Sequence, residues 1–116
     1  MRGHLTSLVE SMRHLSAGEY EAAATAVEDH YGLRPGTVEY CREPIFSKES
    51  SLAAADLPPA PPEPVREMFK AMKNSGQRFV EEARRAVKTG DPAPAWKTLT
   101  TMAESCNACH AAYRLR

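Results

Sequence analysis

Several features that define other classes of protein are missing from this sequence. No apolar run approaches the length needed to cross a membrane, which argues against insertion into one. Lys plus Arg and Asp plus Glu both number 15, so the chain lacks the excess positive charge on which nucleic-acid binding depends. With only three cysteines, a disulfide scaffold is not expected. The 116 residues suffice for one core, and we expect a single domain over residues 1–116.

Alternation of the kind that marks β-strands is also absent, whereas helical periodicity recurs in four segments. The four predicted helices cover residues 1–16, 19–30, 65–89 and 93–115. Gly18, Gly32 and Gly90 mark breaks at which helices end. We therefore predict an all-α fold, an antiparallel four-helix bundle with a long connection between helices two and three.

That connection, residues 33–61, runs into a cluster of prolines that predicts a stiff, extended connector, with a short helix at 50–55. In helix three, Gly76 interrupts the apolar pattern and indicates a kink or a close contact. The positions of helix one expected to face the core are Met1, Leu5, Leu8, Met12 and Leu15. Those of helix two are Tyr20, Ala23, Val27 and Tyr31.

The motif that carries chemistry lies in the last predicted helix. Cys106-Asn107-Ala108-Cys109-His110 fits C-x-x-C-H, the attachment pattern of c-type haem. Two thiols separated by two residues both reach the vinyl groups along one porphyrin edge and form thioethers with them. The histidine that follows the second cysteine then binds the iron from its proximal side. We predict one covalent haem c held by Cys106, Cys109 and His110.

Two other uses of paired cysteines fit this sequence less well. A thioredoxin-like redox pair follows a β-strand, and no strand is predicted before Cys106. A structural zinc site needs four ligands; Cys41 completes that number, but adjacent Cys109 and His110 rarely bind the same zinc ion. With haem attached, Cys41 is left as an unpaired thiol, for which an intermolecular disulfide and burial are the two expected outcomes, burial being the more common.

The haem motif also predicts where the protein is located. The first residues lack the basic-then-apolar pattern of a secretory signal. Haem is nevertheless joined to C-x-x-C-H after export. We therefore expect a periplasmic protein whose leader was removed or lies outside this chain.

The stretch CNACHAAYR, near the end of the last of four helices, resembles the class II c-type cytochromes, which include cytochrome c′ and the cytochromes c-556. Their haem histidine is usually followed, three and four positions later, by an aromatic residue and an arginine, which Tyr113 and Arg114 match. The resemblance is specific over residues 96–116 and implies a cytochrome c′-like haem domain. The first helix is shorter, and the 33–61 segment longer, than the family pattern.

The resemblance carries two further implications. Arg114 is expected near the proximal face of the haem, where it tunes the iron; its alternative is a solvated arginine at a helix end. Two copies of the chain are expected to form a homodimer through their first two helices.

In such a bundle, the start of helix one lies beside the end of helix four, so the resemblance implies that the distal side of the haem faces those first turns. Family members present there an apolar residue, which leaves the iron five-coordinate, or a methionine ligand. This chain offers His4 and Met12 as alternative sixth ligands, and Leu5 and Leu8 as an apolar wall beside an open iron. The sequence does not choose among them.

Each alternative favours a different function. A haem with two protein ligands favours one-electron transfer between redox partner proteins. An open iron walled by hydrocarbon favours binding or sensing of small gases such as NO and CO. An enzyme needs a polar acid–base group beside an open iron, and a small bundle offers little room for a substrate. We expect electron transfer, and no enzymatic activity, because potential ligands crowd the distal side.

Overall fold

A computed structural model describes residues 2–33 and 63–112 of the chain. These residues form four helices, α1 (Arg2–Ser16), α2 (Tyr20–His30), α3 (Glu63–Thr89) and α4 (Ala93–Ala112). No strand occurs in either range, so the predicted all-α, four-helix fold is confirmed. The predicted connector and its short helix lie outside the described residues, as do Cys41, Tyr113 and Arg114.

Glycines end the helices where the sequence predicts. Gly18, Gly32 and Gly90 have φ angles of 76°, 62° and 74°, a left-handed region that residues with a Cβ rarely adopt. At the α1–α2 turn, the N–H of Glu19 donates to the His14 carbonyl at 2.9 Å. The tight turn at Gly18 lets α2 return directly alongside α1.

Two serines hold α1 against α2. Ser7 Oγ donates to the Ala26 carbonyl at 2.9 Å, while Ser11 Oγ donates to the Ser7 carbonyl at 2.8 Å and lies 3.4 Å from the Ala23 carbonyl. Both serines are fully buried, which is tolerable because their hydroxyls have partners. These bonds pair early residues of α1 with late residues of α2, so the two helices run in opposite directions.

The buried face of α1 differs from the predicted stripe. Leu8 and Leu15 are buried as expected, whereas Leu5 and Met12 are 65% and 42% exposed, so the prediction that they face the core is wrong. The physical reason is that the buried serines occupy the positions against α2. Their hydrogen bonds turn α1 so that Leu5 and Met12 lie on an outer flank.

Gly76 is a point of close packing within a continuous α3. A Cβ at this position would lie 3.4 Å from Leu33 Cδ1, 3.6 Å from Val27 Cγ1 and 3.8 Å from Met102 Sδ. Val27 belongs to α2, Leu33 follows the end of that helix, and Met102 lies in the middle of α4. Gly76 therefore marks a close contact among three helices, one of the two alternatives that the sequence indicates.

A partly buried ion pair joins α2 to α3. The guanidinium of Arg84 donates to both carboxylate oxygens of Glu28, at 2.9 and 2.8 Å, and to Oε1 of Glu21 at 3.1 Å. Glu28 is only 9% exposed, so its charge depends on this partner. The hydrogen bond with Glu28 holds the pKa of Arg84 above its ordinary value.

We expect Arg84→Met to lower the free energy of unfolding by about 1–3 kcal/mol, because it leaves the Glu28 carboxylate buried without its cation. Arg85→Met is the matched control, since Arg85 pairs with Glu82 of its own helix and is itself exposed. That control should change stability by less than about 0.5 kcal/mol. Urea unfolding followed by circular dichroism measures both, and equal effects would contradict the assigned role of Arg84.

Candidate functional site

The two cysteines of the motif lie one turn apart in the second half of α4. Cys106 and Cys109 are both half-buried, and neither forms a disulfide. Residues three apart in an α-helix are neighbours on one face, so the two thiols are presented on the same side of α4. Cys106 also packs against the core of the bundle. His110 continues the same helix.

Cys106 contacts the end of α2 through Tyr31. The Tyr31 hydroxyl lies close enough to the Cys106 thiol to affect the pKa of that thiol, and Tyr31 is only 2% exposed. Burial raises the pKa of the Cys106 thiol, the nearby Tyr31 hydroxyl lowers it, and nearby Cys109 raises it further. The net effect is a raised pKa, so the Cys106 thiol is protonated at neutral pH.

Tyr31 also contacts α1, through the face of its ring. The imidazole of His4 stacks on the ring of Tyr31, with centroids 4.8 Å apart and planes inclined by 13°. His4 lies near the start of α1 and is half-buried. Tyr31 therefore links His4 to Cys106, and residues from α1, the end of α2 and α4 meet at one end of the protein.

Tyr31 is the member of this cluster that the sequence pattern does not single out. Its position at the end of the apolar face of α2 predicts a core residue, and it is one. Only the packing of three helices gives its ring and its hydroxyl separate partners. The signal in the sequence is weak, consisting of an aromatic residue directly before the helix-ending Gly32.

The remaining α1 residues predicted for the distal side lie apart from this cluster. Leu8 belongs to the buried core. Leu5 and Met12 share an exposed apolar flank with Val9, which is 56% exposed. This flank, hereafter the α1 flank, comprises Leu5, Val9 and Met12. Met12 lies about two helical turns beyond His4.

The α1 flank lies on the side of α1 that is turned away from α2. Helix geometry orders the side chains around α1 from the α2-facing serines, through the buried leucines, to the flank. Among the described helices, α1 packs along α2, α2 along α3 and α3 along α4, whereas α1 and α4 make only slight contact. We infer that the flank borders this loosely packed side, which explains why its apolar side chains are exposed.

These residues fit a large, flat, mostly apolar cofactor such as haem. Two thiols on one face of α4, neither of them in a disulfide, suit covalent attachment at two points. His4, in contact with Tyr31 at the same end, is of a type that binds iron. The α1 flank provides hydrocarbon surface that a porphyrin would cover.

Among the side chains that the structure describes, which do not include that of His110, no three or more His, Cys, Asp and Glu converge on a point that would hold a metal ion. None of the helices in residues 2–33 and 63–112 is long and apolar enough to cross a membrane. The comparisons were also negative, since no family model, curated protein or solved structure matches the chain.

The Tyr31–Cys106 contact predicts thiol reactivity. In polypeptide without haem, Tyr31→Phe removes the hydroxyl that lowers the pKa of Cys106, so the pKa should rise further and alkylation of Cys106 at mildly alkaline pH should slow down. Tyr20→Phe, at the opposite end of α2, is the matched control and should leave the rate unchanged. Site-resolved mass spectrometry separates Cys106 from the other two cysteines. An unchanged rate in Tyr31→Phe would contradict the contact.

Proposed function

We propose that this chain is a periplasmic c-type cytochrome that binds one covalent haem and carries single electrons between redox partner proteins. The observation that supports the proposal best is the meeting of Cys106, Tyr31 and His4 at one end of the protein. A C-x-x-C-H motif on a helix is a local pattern, but an imidazole from another helix at the same end is what a haem with two protein ligands needs.

Different residues of this chain are assigned to covalent attachment of the haem and to ligation of its iron. Cys106 and Cys109 hold it through two thioether bonds, and His110 is the proximal iron ligand. Arg114 is assigned to the proximal side by the family resemblance alone. When bound, haem supplies an iron that accepts and releases one electron.

His4 is the better candidate for the distal ligand. It stacks on the residue that contacts Cys106, whereas Met12 lies about two turns further along α1 and is 42% exposed on the α1 flank. A ligand supplied by the protein on each side leaves no open position for a substrate, which favours an electron carrier over an enzyme. Leu5, on the α1 flank, and Leu8, in the buried core, lie apart from the cluster of His4, Tyr31 and Cys106, which favours an iron closed by His4 over one walled by these leucines.

Covalent attachment is tested by cysteine variants produced in a periplasm with haem-maturation machinery. We expect Cys106→Ala and Cys109→Ala each to lower the covalent haem content, because each removes one thioether, and the double variant to hold none. Cys41→Ser is the matched control and should hold as much haem as the wild type. Absorbance of the protein after acid extraction of non-covalent haem measures this content. Equal content in all four variants would contradict the assigned attachment sites.

The distal ligand is tested by optical spectra of the reduced protein with and without CO. The wild type should give sharp low-spin bands that CO changes only at high concentration, and His4→Ala should give high-spin bands that CO sharpens at low concentration. Met12→Leu and His14→Ala, the second a histidine at the far end of α1, should behave as the wild type. A wild type that itself binds CO readily would favour the alternative, a five-coordinate protein that binds or senses NO or CO.

A further inference from the structure

Tyr31 is more deeply buried than either of its partners, His4 and Cys106. It ends α2, where its N–H donates to the Val27 carbonyl at 3.0 Å, and it is followed by Gly32 in the left-handed conformation. Its side chain is 2% exposed and belongs to the buried core cluster. His4, in contrast, is half-buried and lies near the beginning of α1.

The two contacts of Tyr31 use different parts of its side chain. The ring face stacks on His4, and the hydroxyl lies beside the Cys106 thiol. Stacking also engages the face of the imidazole, whereas iron ligation uses a nitrogen at the edge of that ring. His4 is therefore able to keep its contact with Tyr31 while it binds iron, and the stack restricts the rotation of the imidazole.

From this arrangement we propose that Tyr31 is a positioning residue for the distal ligand. Its ring holds the His4 imidazole in one orientation, and its hydroxyl lies beside the attachment residue Cys106. The inference rests on the proposed function, because it assumes that a haem is attached at Cys106. It goes beyond that function because it assigns a role to a buried core residue. In this role, Tyr31 controls whether the sixth coordination position of the iron stays closed.

Tyr31 would strengthen the binding of His4 to the iron through preorganisation. A side chain near a helix start samples several rotamers, and holding it in one of them before it binds reduces the entropy lost on ligation. Aromatic stacking and a single hydrogen bond each have a net effect of several-fold on such an equilibrium. Loss of Tyr31 should therefore leave the sixth coordination position of the iron without His4 for part of the time. An exogenous ligand should then compete with His4 more successfully.

The test is the affinity of the reduced holoprotein for CO, which competes with His4 for the iron. We expect Tyr31→Leu, which loses both the stack and the hydroxyl, to bind CO about tenfold more tightly than the wild type. Tyr31→Phe, which keeps the stack, should bind it about threefold more tightly. Tyr20→Phe is the matched control and should equal the wild type. Because Tyr31 is buried, Tyr31→Phe decides the result alone if Tyr31→Leu does not fold.

A second set of variants separates positioning from a general loss of structure. In the His4→Ala background, the Tyr31 substitutions should change CO affinity by less than about twofold, because the residue that they position is gone. Equal effects with and without His4 would overturn the proposal, as would a Tyr31→Phe variant identical to the wild type. Wild-type protein that carries haem but binds CO as tightly as His4→Ala also overturns it and leaves haem attachment intact. Wild-type protein without haem overturns the proposed function itself.

Discussion

α2 is only 11 residues long, yet α1 packs along one side of it and α3 along another. A helix of this length is marginal in isolation, so its stability comes from its neighbours. Ser7 hydrogen-bonds to α2 from α1, and Arg84 binds Glu28 from α3. Ala23, Ala24 and Val27 are completely buried between them. The small side chains allow the close approach, and Gly32 in the left-handed conformation follows the end of α2.

The site depends on where α2 ends. Tyr31 is its capping residue, and the same residue contacts His4 of α1 and Cys106 of α4. α1 and α4 make little contact with each other, so α2 supplies the connection between them at this end. The loose α1–α4 side leaves the α1 flank exposed. In the proposed holoprotein, haem would cover part of this apolar surface, so that attachment of the cofactor also stabilises the fold.

The helices could be predicted from the sequence because their signals are local. Periodicity gave four helices, and the glycines at their ends adopt the left-handed conformation that only glycine favours. The C-x-x-C-H spacing is local too, and it places both thiols on one face of α4. The orientation of α1 was not predictable, because buried Ser7 and Ser11 look like surface residues until the carbonyls of α2 are placed beside them. The role of Tyr31 in the site was not predictable for the same reason, because its partners come from two other helices.

The central claim is that Cys106 and Cys109 bind haem covalently. Trypsin cleaves after Lys97 and Arg114 and so releases residues 98–114, which contain the whole motif. The most direct measurement is the mass of this peptide from protein matured in a periplasm that attaches haem. The account predicts a coloured peptide heavier by one haem. A colourless peptide with the mass of the bare sequence would contradict it.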